Sequence, residues 1–268
     1  MKFNQEILRR YMAVAPLPLA FERTLECRIY QKLPFVRPIL DVGCGEGLFA
    51  KILFAEPIDT GIDPNSRELD RARELGAYEE LIECFGDAIP KADGSYNTVF
   101  SNSVLEHIPD LEPVLREVHR LLAPEGHFYF TVPSSSFDRY NAGSQLLEGL
   151  GLRGLAGRFR GFYNNFWNHY HYYALDGWKE LAVRTGFEVV DAYTYDPKRV
   201  CLLNDLLVPL SLPALVTKKA TNRWTFASGL RRILLAPVAA AAERILDGAE
   251  RAENGGLVFM SLRKPASS

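Results

Sequence analysis

The sequence from residue 39 to residue 47 reads ILDVGCGEG and decides the fold class. Ile39–Val42 is a short apolar run typical of a buried strand, and Leu48–Phe54 has the spacing of a helix. Gly43, Gly45 and Gly47 lie between them and let a ligand approach the backbone, because no Cβ obstructs it. The stretch therefore predicts a strand, a ligand-binding loop and a helix, with a plain tight turn as the alternative.

The spacing of the glycines restricts the ligand. A dinucleotide fingerprint needs a glycine where Leu48 stands, and the loop has no lysine of the kind found in a P-loop. Asp63 ends the next predicted strand, where a carboxylate can accept hydrogen bonds from both hydroxyls of a ribose. Asp87 follows the third strand and can accept from an adenine amino group. A helix cap after Pro64 and a simple turn are the alternatives for these two acids.

Strands and helices alternate from about Pro38 to Pro133, which is typical of a parallel sheet with crossover helices. The predicted strands are Ile39–Val42, Asp59–Asp63, Leu81–Phe85, Asn97–Ser101, His127–Val132, Phe187–Tyr195 and Leu257–Leu262. The predicted helices include Leu48–Phe54, Arg67–Leu75, Leu111–Leu122 and Leu175–Thr185. The pattern predicts an α/β domain.

The composition excludes several classes of protein. Hydrophobic residues make up 47% and charged residues 24%, which excludes collagen, bulk disorder and a polytopic membrane protein. The 31 Lys and Arg against 33 Asp and Glu leave a charge of −2, so a whole-protein basic footprint for nucleic acid is absent. The four cysteines are scattered, which argues against a zinc cluster or a disulfide framework. Charges at Glu6, Arg9 and Arg10 argue against a signal peptide, and we expect a cytoplasmic location.

Five motifs over residues 39–133 occur in a characteristic order: LDVGCGEG, GIDPN, GDAIP, SNSVLEHIPD and LLAPEGHFYFTVPS. Together they resemble the class I S-adenosylmethionine-dependent methyltransferases. The later stretch HYHYYALDGWKELAVRTGFEVV is similar to the small-molecule, type 11-like branch. The resemblance implies a Rossmann-like, seven-stranded, mostly parallel sheet with an antiparallel last strand, plus a helical cap insertion. It also implies in-line methyl transfer without a metal, from S-adenosyl-L-methionine with S-adenosyl-L-homocysteine as product.

The resemblance also assigns residues to parts of the cofactor. The three glycines would border its methionine part, Asp63 its ribose, and Asp87 with Ala88 its adenine. Ser101 and Asn102 would face the sulfonium, and Asp41 would orient the loop. The cofactor-binding residues expected in this way are Asp41, Gly43, Cys44, Gly45, Gly47, Asp63, Pro64, Asp87, Ala88, Ser101 and Asn102.

Three histidines are candidates for the base that removes a proton from the acceptor. His107 follows the fourth strand, and His169 and His171 stand among tyrosines before a helix. A structural role is the alternative for each of them. An acceptor that is already a carboxylate, a thiolate or an activated carbon would need no base.

The expected organisation is an N-terminal helical segment over residues 1–37 and a methyltransferase domain over 38–195 and 255–264. The domain contains a lid-like segment, 134–172, and is interrupted by a helical insertion, 196–254. The insertion mixes bases with leucines, which suits either an anionic membrane surface or a helical cap or dimer interface. We expect no spanning helix, because Asn204, Asp205, Pro209 and Pro213 interrupt the apolar run. We also expect the bases of the insertion to lie away from the cofactor loop.

The function expected from these observations is methyl transfer to a small-molecule or lipid-linked acceptor by a monomer or homodimer. The alternative is a cofactor-binding regulatory or scaffolding protein without turnover. Nucleic-acid methylation is disfavoured, because Ser101-Asn102-Ser103-Val104 stands where an Asn-Pro-Pro-Tyr-like run would follow the fourth strand.

Overall fold

A computed structural model describes residues 1–266 and contains one seven-stranded sheet with the strand order β3-β2-β1-β4-β5-β7-β6. The strands are β1 Ile39–Val42, β2 Ile58–Asp63, β3 Tyr78–Glu83, β4 Tyr96–Asn102, β5 Leu122–Pro133, β6 Glu188–Tyr195 and β7 Leu257–Arg263. Strands β1 to β5 pair in parallel, whereas β7 runs antiparallel to both β5 and β6. The predicted fold class and the antiparallel last strand are confirmed.

The central strands are largely buried, since helices cover both faces of a parallel sheet. All four residues of β1 are buried, and six of the seven residues of β7 are buried. The edge strand β3 was predicted at Leu81–Phe85 but occupies Tyr78–Glu83. Exposed Glu79 and Glu80 on this edge conceal the apolar pattern of the strand.

Twelve α-helices lie within the described residues. They are α1 Ile7–Val14, α2 Leu17–Tyr30, α3 Leu48–Leu53, α4 Ser66–Leu75, α5 Leu111–Leu121, α6 Ala142–Gly149, α7 Arg153–Trp167, α8 Leu175–Arg184, α9 Lys198–Leu207, α10 Leu212–Thr221, α11 Ser228–Leu234 and α12 Ala236–Leu246. Helices α6 and α7 belong to the lid-like segment, and α9 to α12 form the insertion between β6 and β7.

The N-terminal helices share the core of the sheet. Tyr30 at the end of α2 is fully buried, and its ring packs edge-on against Phe100 of β4 and Phe259 of β7. Leu25 and Tyr11 belong to the same cluster. Residues 1–37 are therefore a packed layer over one face of the domain.

One helical run is long and apolar enough, by length and composition alone, to cross a membrane. It covers Lys198–Thr221 and has a mean hydropathy of 1.8, and only 17% of the tested window is buried. From the sequence, no spanning helix was expected here, because Asn204, Asp205, Pro209 and Pro213 interrupt the run. A short 3-10 turn, Val208–Ser211, joins α9 to α10 within this run.

Candidate active site

The glycine loop after β1 has the backbone that its sequence predicts. Gly43 and Gly45 have φ angles of +78° and +50°, a region that residues with a Cβ rarely adopt. A Cβ on Gly43 would lie 2.4 Å from the Val104 side chain, whereas one on Gly45 would meet no protein atom within 4 Å. The loop is thus packed on one side and open on the other, where a ligand can approach.

Of the two acids beside the loop, Asp63 holds it in place by a hydrogen bond. Asp63 at the end of β2 accepts hydrogen bonds from the backbone N–H groups of Gly45, at 3.0 Å, and Asn65, at 2.9 Å. Burial raises the pKa of Asp63, and these two donors oppose the shift. Asp41 accepts a hydrogen bond from the Tyr78 hydroxyl at 2.7 Å, and burial raises the pKa of its carboxyl to about 7.

The insertion contacts this loop directly. Trp224 Nε1 donates to Glu46 Oε1 at 2.7 Å, and Lys218 Nζ lies 3.0 Å from both Glu46 Oε2 and Glu68 Oε2. The expectation that the bases of the insertion lie away from the cofactor loop is therefore wrong. The chain between β6 and β7 folds back across the sheet edge and closes over the loop.

The other residues expected around the cofactor divide into two groups. Asp87 and Ala88 are exposed beyond β3 and free to meet a ligand. Ser101 is fully buried and donates to the Val42 carbonyl at 2.8 Å, and Asn102 donates to Glu26 at 2.8 Å. Cys44 and Pro64 flank the Gly45 and Asp63 positions in the chain.

A buried carboxylate on α2 organises the end of β4 and was missed by the sequence analysis. Glu26 is fully buried and accepts from Arg23 Nη1 at 2.6 Å and from Asn102 Nδ2. It also accepts from Ser103 Oγ at 3.0 Å and Tyr195 OH at 3.1 Å. Four donors from α2, β4, β6 and the loop after β4 thus compensate one buried charge.

A cavity of about 280 Å³ opens beside this cluster. Its walls come from α2, the ends of β4 and β5, the lid-like segment and the insertion. Most of its apolar lining consists of Leu19, Phe137, Tyr163, Trp167, Val208, Leu215, Trp224 and Leu257. Because Trp224 both lines the cavity and binds Glu46, the cavity and the glycine loop are adjacent.

The polar end of the cavity contains Glu106, His107 and His169. His107 Nδ1 lies 3.1 Å from the Asn168 carbonyl oxygen, which can only accept, so Nδ1 carries the proton and Nε2 is an acceptor. The rings of His107 and His169 are 5.3 Å apart. Burial, with His107 adding to it, lowers the pKa of His169 to about 4, and burial also lowers the pKa of His107. Both rings are therefore neutral at pH 7.

Two carboxyl groups in the cavity wall are held in their neutral form. Burial raises the pKa of Glu106 and of Asp196 to about 8 in each case. Glu106 Oε2, Asp196 Oδ1 and His169 Nδ1 are buried and have no hydrogen-bond partner within residues 1–266. Buried polar atoms are nearly always paired in native proteins, so these three atoms are available to hydrogen-bond a ligand or water in the cavity.

His171 lies outside the cavity lining. Its Nε2 is 2.9 Å from the Ile108 carbonyl oxygen and its Nδ1 is 2.8 Å from the Tyr173 hydroxyl, so both ring nitrogens are engaged. The backbone N–H of Tyr170 donates to the Glu106 carbonyl at 2.8 Å. These contacts fix segment 168–173 against the turn after β4.

Comparison with known proteins assigns the family. A profile described as a methyltransferase domain matches residues 9–192, more than half of the chain. The chain belongs to this family. This methyltransferase is 31% identical over 115 residues to a ubiquinone biosynthesis O-methyltransferase of Vibrio atlanticus, covering 40% of this chain and 47% of the relative. The chain thus matches about half the length of the curated relatives.

Two solved structures share the fold of this methyltransferase. One is a SAM-dependent methyltransferase of Thermotoga maritima, with a TM-score of 0.55, 16% identity, and coverage of 92% of this chain and 91% of that one. The other is phosphoethanolamine N-methyltransferase 2 of Haemonchus contortus in complex with S-adenosyl-L-methionine. It has a TM-score of 0.53, 17% identity, and coverage of 94% and 54%.

The family cofactor is S-adenosyl-L-methionine, as the sequence predicted, and the loop fits it. The open side of Gly45, the Asp63 carboxylate and the exposed Asp87 provide a backbone cradle and acceptors for hydroxyl and amino groups. Glu106, His107 and His169 also offer one ligand atom each within 4.8 Å of one another, which is a donor set for a divalent metal. Metal-free transfer therefore stays a prediction that chelation tests.

Proposed function

We propose that this methyltransferase transfers the methyl group of S-adenosyl-L-methionine to a hydroxyl oxygen of a small-molecule or lipid-linked acceptor in the cytoplasm. One observation carries the proposal: an apolar cavity adjoins the cofactor loop and ends in two neutral histidines. The O-methyltransferase activity in the name of the Vibrio relative supports an oxygen acceptor. The four cysteines, all unpaired, support a reducing compartment.

The cavity favours an acceptor with an apolar body and a neutral, oxygen-containing head. The aromatic and aliphatic walls bind the body, and the protonated carboxyls of Glu106 and Asp196 can donate to its oxygens. Neutral carboxyls give little attraction to a cationic amine. The Glu106 and Asp196 carboxyls therefore suit a phenol or a similar hydroxyl compound better than an amine acceptor.

When bound, the cofactor supplies an electrophilic methyl group. The chain must orient the acceptor hydroxyl and remove its proton. His107 Nε2 is a free acceptor because Nδ1 is held by the Asn168 carbonyl, and His169 Nδ1 is unpartnered in the same wall. His107 Nε2 can take the hydroxyl proton at neutral pH, whereas His169, with a pKa of about 4, is a weaker base that can instead hold the acceptor in place.

The test is formation of S-adenosyl-L-homocysteine from labelled cofactor with a panel of phenols, carboxylates and amines. We expect turnover with phenols, and we expect His107→Gln and His169→Gln to lower kcat by about 10²-fold or more without changing cofactor affinity. His119→Gln is the matched control, because His119 lies on α5, packs against Phe187 and is outside the cavity lining. Cofactor binding without turnover on any acceptor, including a cell extract, would instead support the silent regulatory protein.

A further inference from the structure

Helix α10 has two different faces. On the inner face, Ser211 just before the helix and Leu215 line the cavity, and Lys218 pairs with Glu46. On the outer face, Leu212 and Val216 are 57% and 68% exposed. A helix that is apolar on both faces is typical of burial or of contact with lipid. In the described structure the outer face has no protein covering.

The exposed apolar surface extends along the insertion on both sides of α10. We call this set the outer surface, and its large apolar members are Leu206, Leu210, Leu212, Val216, Phe226, Leu230, Ile233 and Leu234. Leu210 and Ile233 are 74% and 73% exposed. Eight large apolar side chains exposed between residues 206 and 234 point to an interaction site rather than to ordinary scattered exposure.

The outer surface is also positively charged. Five bases and no acid occur between Leu206 and Ala242. Three of the five are engaged, because Lys218 and Arg223 pair with acids of the domain and Arg231 donates to backbone carbonyls of the N-terminal segment. Lys219 and Arg232 are exposed and have no acidic partner within 4 Å among residues 1–266.

The lid-like helix on the other wall of the cavity repeats this arrangement. Tyr163 and Trp167 of α7 line the cavity, while Phe162 and Phe166 of the same helix are 63% and 60% exposed. The cavity therefore lies between two helices that each present apolar side chains outward. An acceptor arriving from an apolar phase would meet apolar surface along its path.

We propose that the outer surface docks on an anionic lipid bilayer and that the cavity receives its acceptor from that bilayer. Apolar side chains interspersed with unpaired bases are the chemistry that binds an anionic interface. The run Lys198–Thr221 lies on the interface instead of crossing it, because Val200, Cys201 and Asn204 are buried against the domain. The lipid-linked acceptor rests on the proposed function, whereas the docking surface does not.

Sedimentation of the full chain with vesicles tests the proposal. We expect the protein to pellet with phosphatidylglycerol-containing vesicles and to pellet less in about 1 M salt, where charges are screened beyond about 3 Å. The double variant Lys219→Ala/Arg232→Ala should lower partitioning about 30-fold, since each base contributes about 1 kcal/mol near such a surface. Leu210→Ser/Ile233→Ser should lower it at least tenfold.

The matched control is Val183→Ser/Val190→Ser, which changes two apolar side chains of α8 and β6 that are 61% and 54% exposed. It should partition like the wild type. A wild-type protein that stays in the supernatant at low salt, or equal partitioning of all variants, overturns the proposal. Resistance to alkaline carbonate extraction would show a spanning segment and would also overturn the proposal. A dimer that dissociates in the Leu210→Ser/Ile233→Ser variant would overturn it as well, because the outer surface would then be a dimer interface.

Two further measurements separate this proposal from the proposed function. Calorimetry with S-adenosyl-L-homocysteine verifies that each variant has a folded cofactor site. Turnover of a water-soluble phenol should be the same in the wild type and in Leu210→Ser/Ile233→Ser, whereas turnover of a vesicle-embedded phenol should fall at least tenfold in the variant. Vesicle binding without any turnover would support the docking surface and contradict the proposed function.

Discussion

Exchange of Glu46 for glutamine tests whether the insertion holds the cofactor loop. The Glu46 carboxylate accepts from Trp224 and pairs with Lys218, and the side chains of Glu46 and Lys218 are only 14% and 16% exposed. A hydrogen bond to a charged group contributes about 1.5–3 kcal/mol, and a partly exposed ion pair up to about 1 kcal/mol. Glutamine keeps an acceptor for Trp224 but loses the charge, so we expect a loss of about 1–2 kcal/mol. That loss corresponds to about 5- to 30-fold faster release of the cofactor product.

Stopped-flow dissociation of S-adenosyl-L-homocysteine, followed by tryptophan fluorescence, measures this effect because Trp224 lies at the contact. Glu74→Gln is the matched control. It removes a pair between Glu74 and Arg223 of the same insertion whose side chains are 55% and 44% exposed, so the release rate should change less than about twofold. A folded Glu46→Gln protein that releases the product at the wild-type rate would refute the reasoning.

Three other predictions concern Asp63, Glu106 and whether methyl transfer requires a metal ion. Asp63→Asn places an amide N–H₂ against a backbone N–H donor, that of Gly45 or Asn65. Calorimetry should therefore show a Kd for S-adenosyl-L-homocysteine that is at least tenfold higher, the equivalent of about 1.5–3 kcal/mol. An unchanged Kd would show that Asp63 does not belong to the cofactor site. Burial raises the pKa of Glu106 from 4.5 in the unfolded chain to about 8, so the folded state binds the proton more tightly. As the pH rises from about 4.5 to about 8, the free energy of unfolding therefore falls by about 1.4 kcal/mol per pH unit. Between about pH 5.5 and pH 7.5, Glu106→Gln should therefore gain about 3 kcal/mol in free energy of unfolding relative to the wild type, measured by urea unfolding. The control Glu180→Gln, at an exposed position, should run parallel to the wild type. Parallel curves for Glu106→Gln and the wild type would contradict the prediction. Dialysis against a chelator should leave methyl transfer unchanged, and activity that is lost and then restored by a divalent cation would identify Glu106, His107 and His169 as metal ligands.

Local patterns were sufficient to predict most of the sheet and the conformation of the glycine loop. The apolar run of β1 and the glycines after it specify a strand and a turn within nine residues, so no distant contact is needed. The end of β2 at Asp63 follows from the same local pattern. The predicted position of the edge strand β3 was three residues too late at its start, because its exposed glutamates do not alternate with apolar residues.

Contacts between distant parts of the chain could not be predicted in this way. Trp224 and Glu46 are 178 residues apart, and Glu26 receives donors from residues 76 to 169 positions away. Nothing in the local sequence indicates that Glu26 is buried, because a polar residue of a helix usually lies on the face exposed to solvent. The sequence identified His107, His169 and His171 as candidates, and the structure places His107 and His169 in one cavity with Glu106, whereas His171 lies outside its lining.

Helix α10 touches the cofactor loop through Lys218, the cavity through Leu215 and the exterior through Val216. A bilayer that shifts this helix would then also shift the affinity for the cofactor, because the bilayer and the cofactor loop would contact the same helix. Thermodynamic reciprocity fixes the size of the converse effect: a vesicle that tightens cofactor binding by a given factor is itself bound more tightly by that factor when the cofactor is present. If the bilayer tightens cofactor binding, the enzyme would remain longest on the membrane when loaded with its methyl donor and would leave it as the product departs.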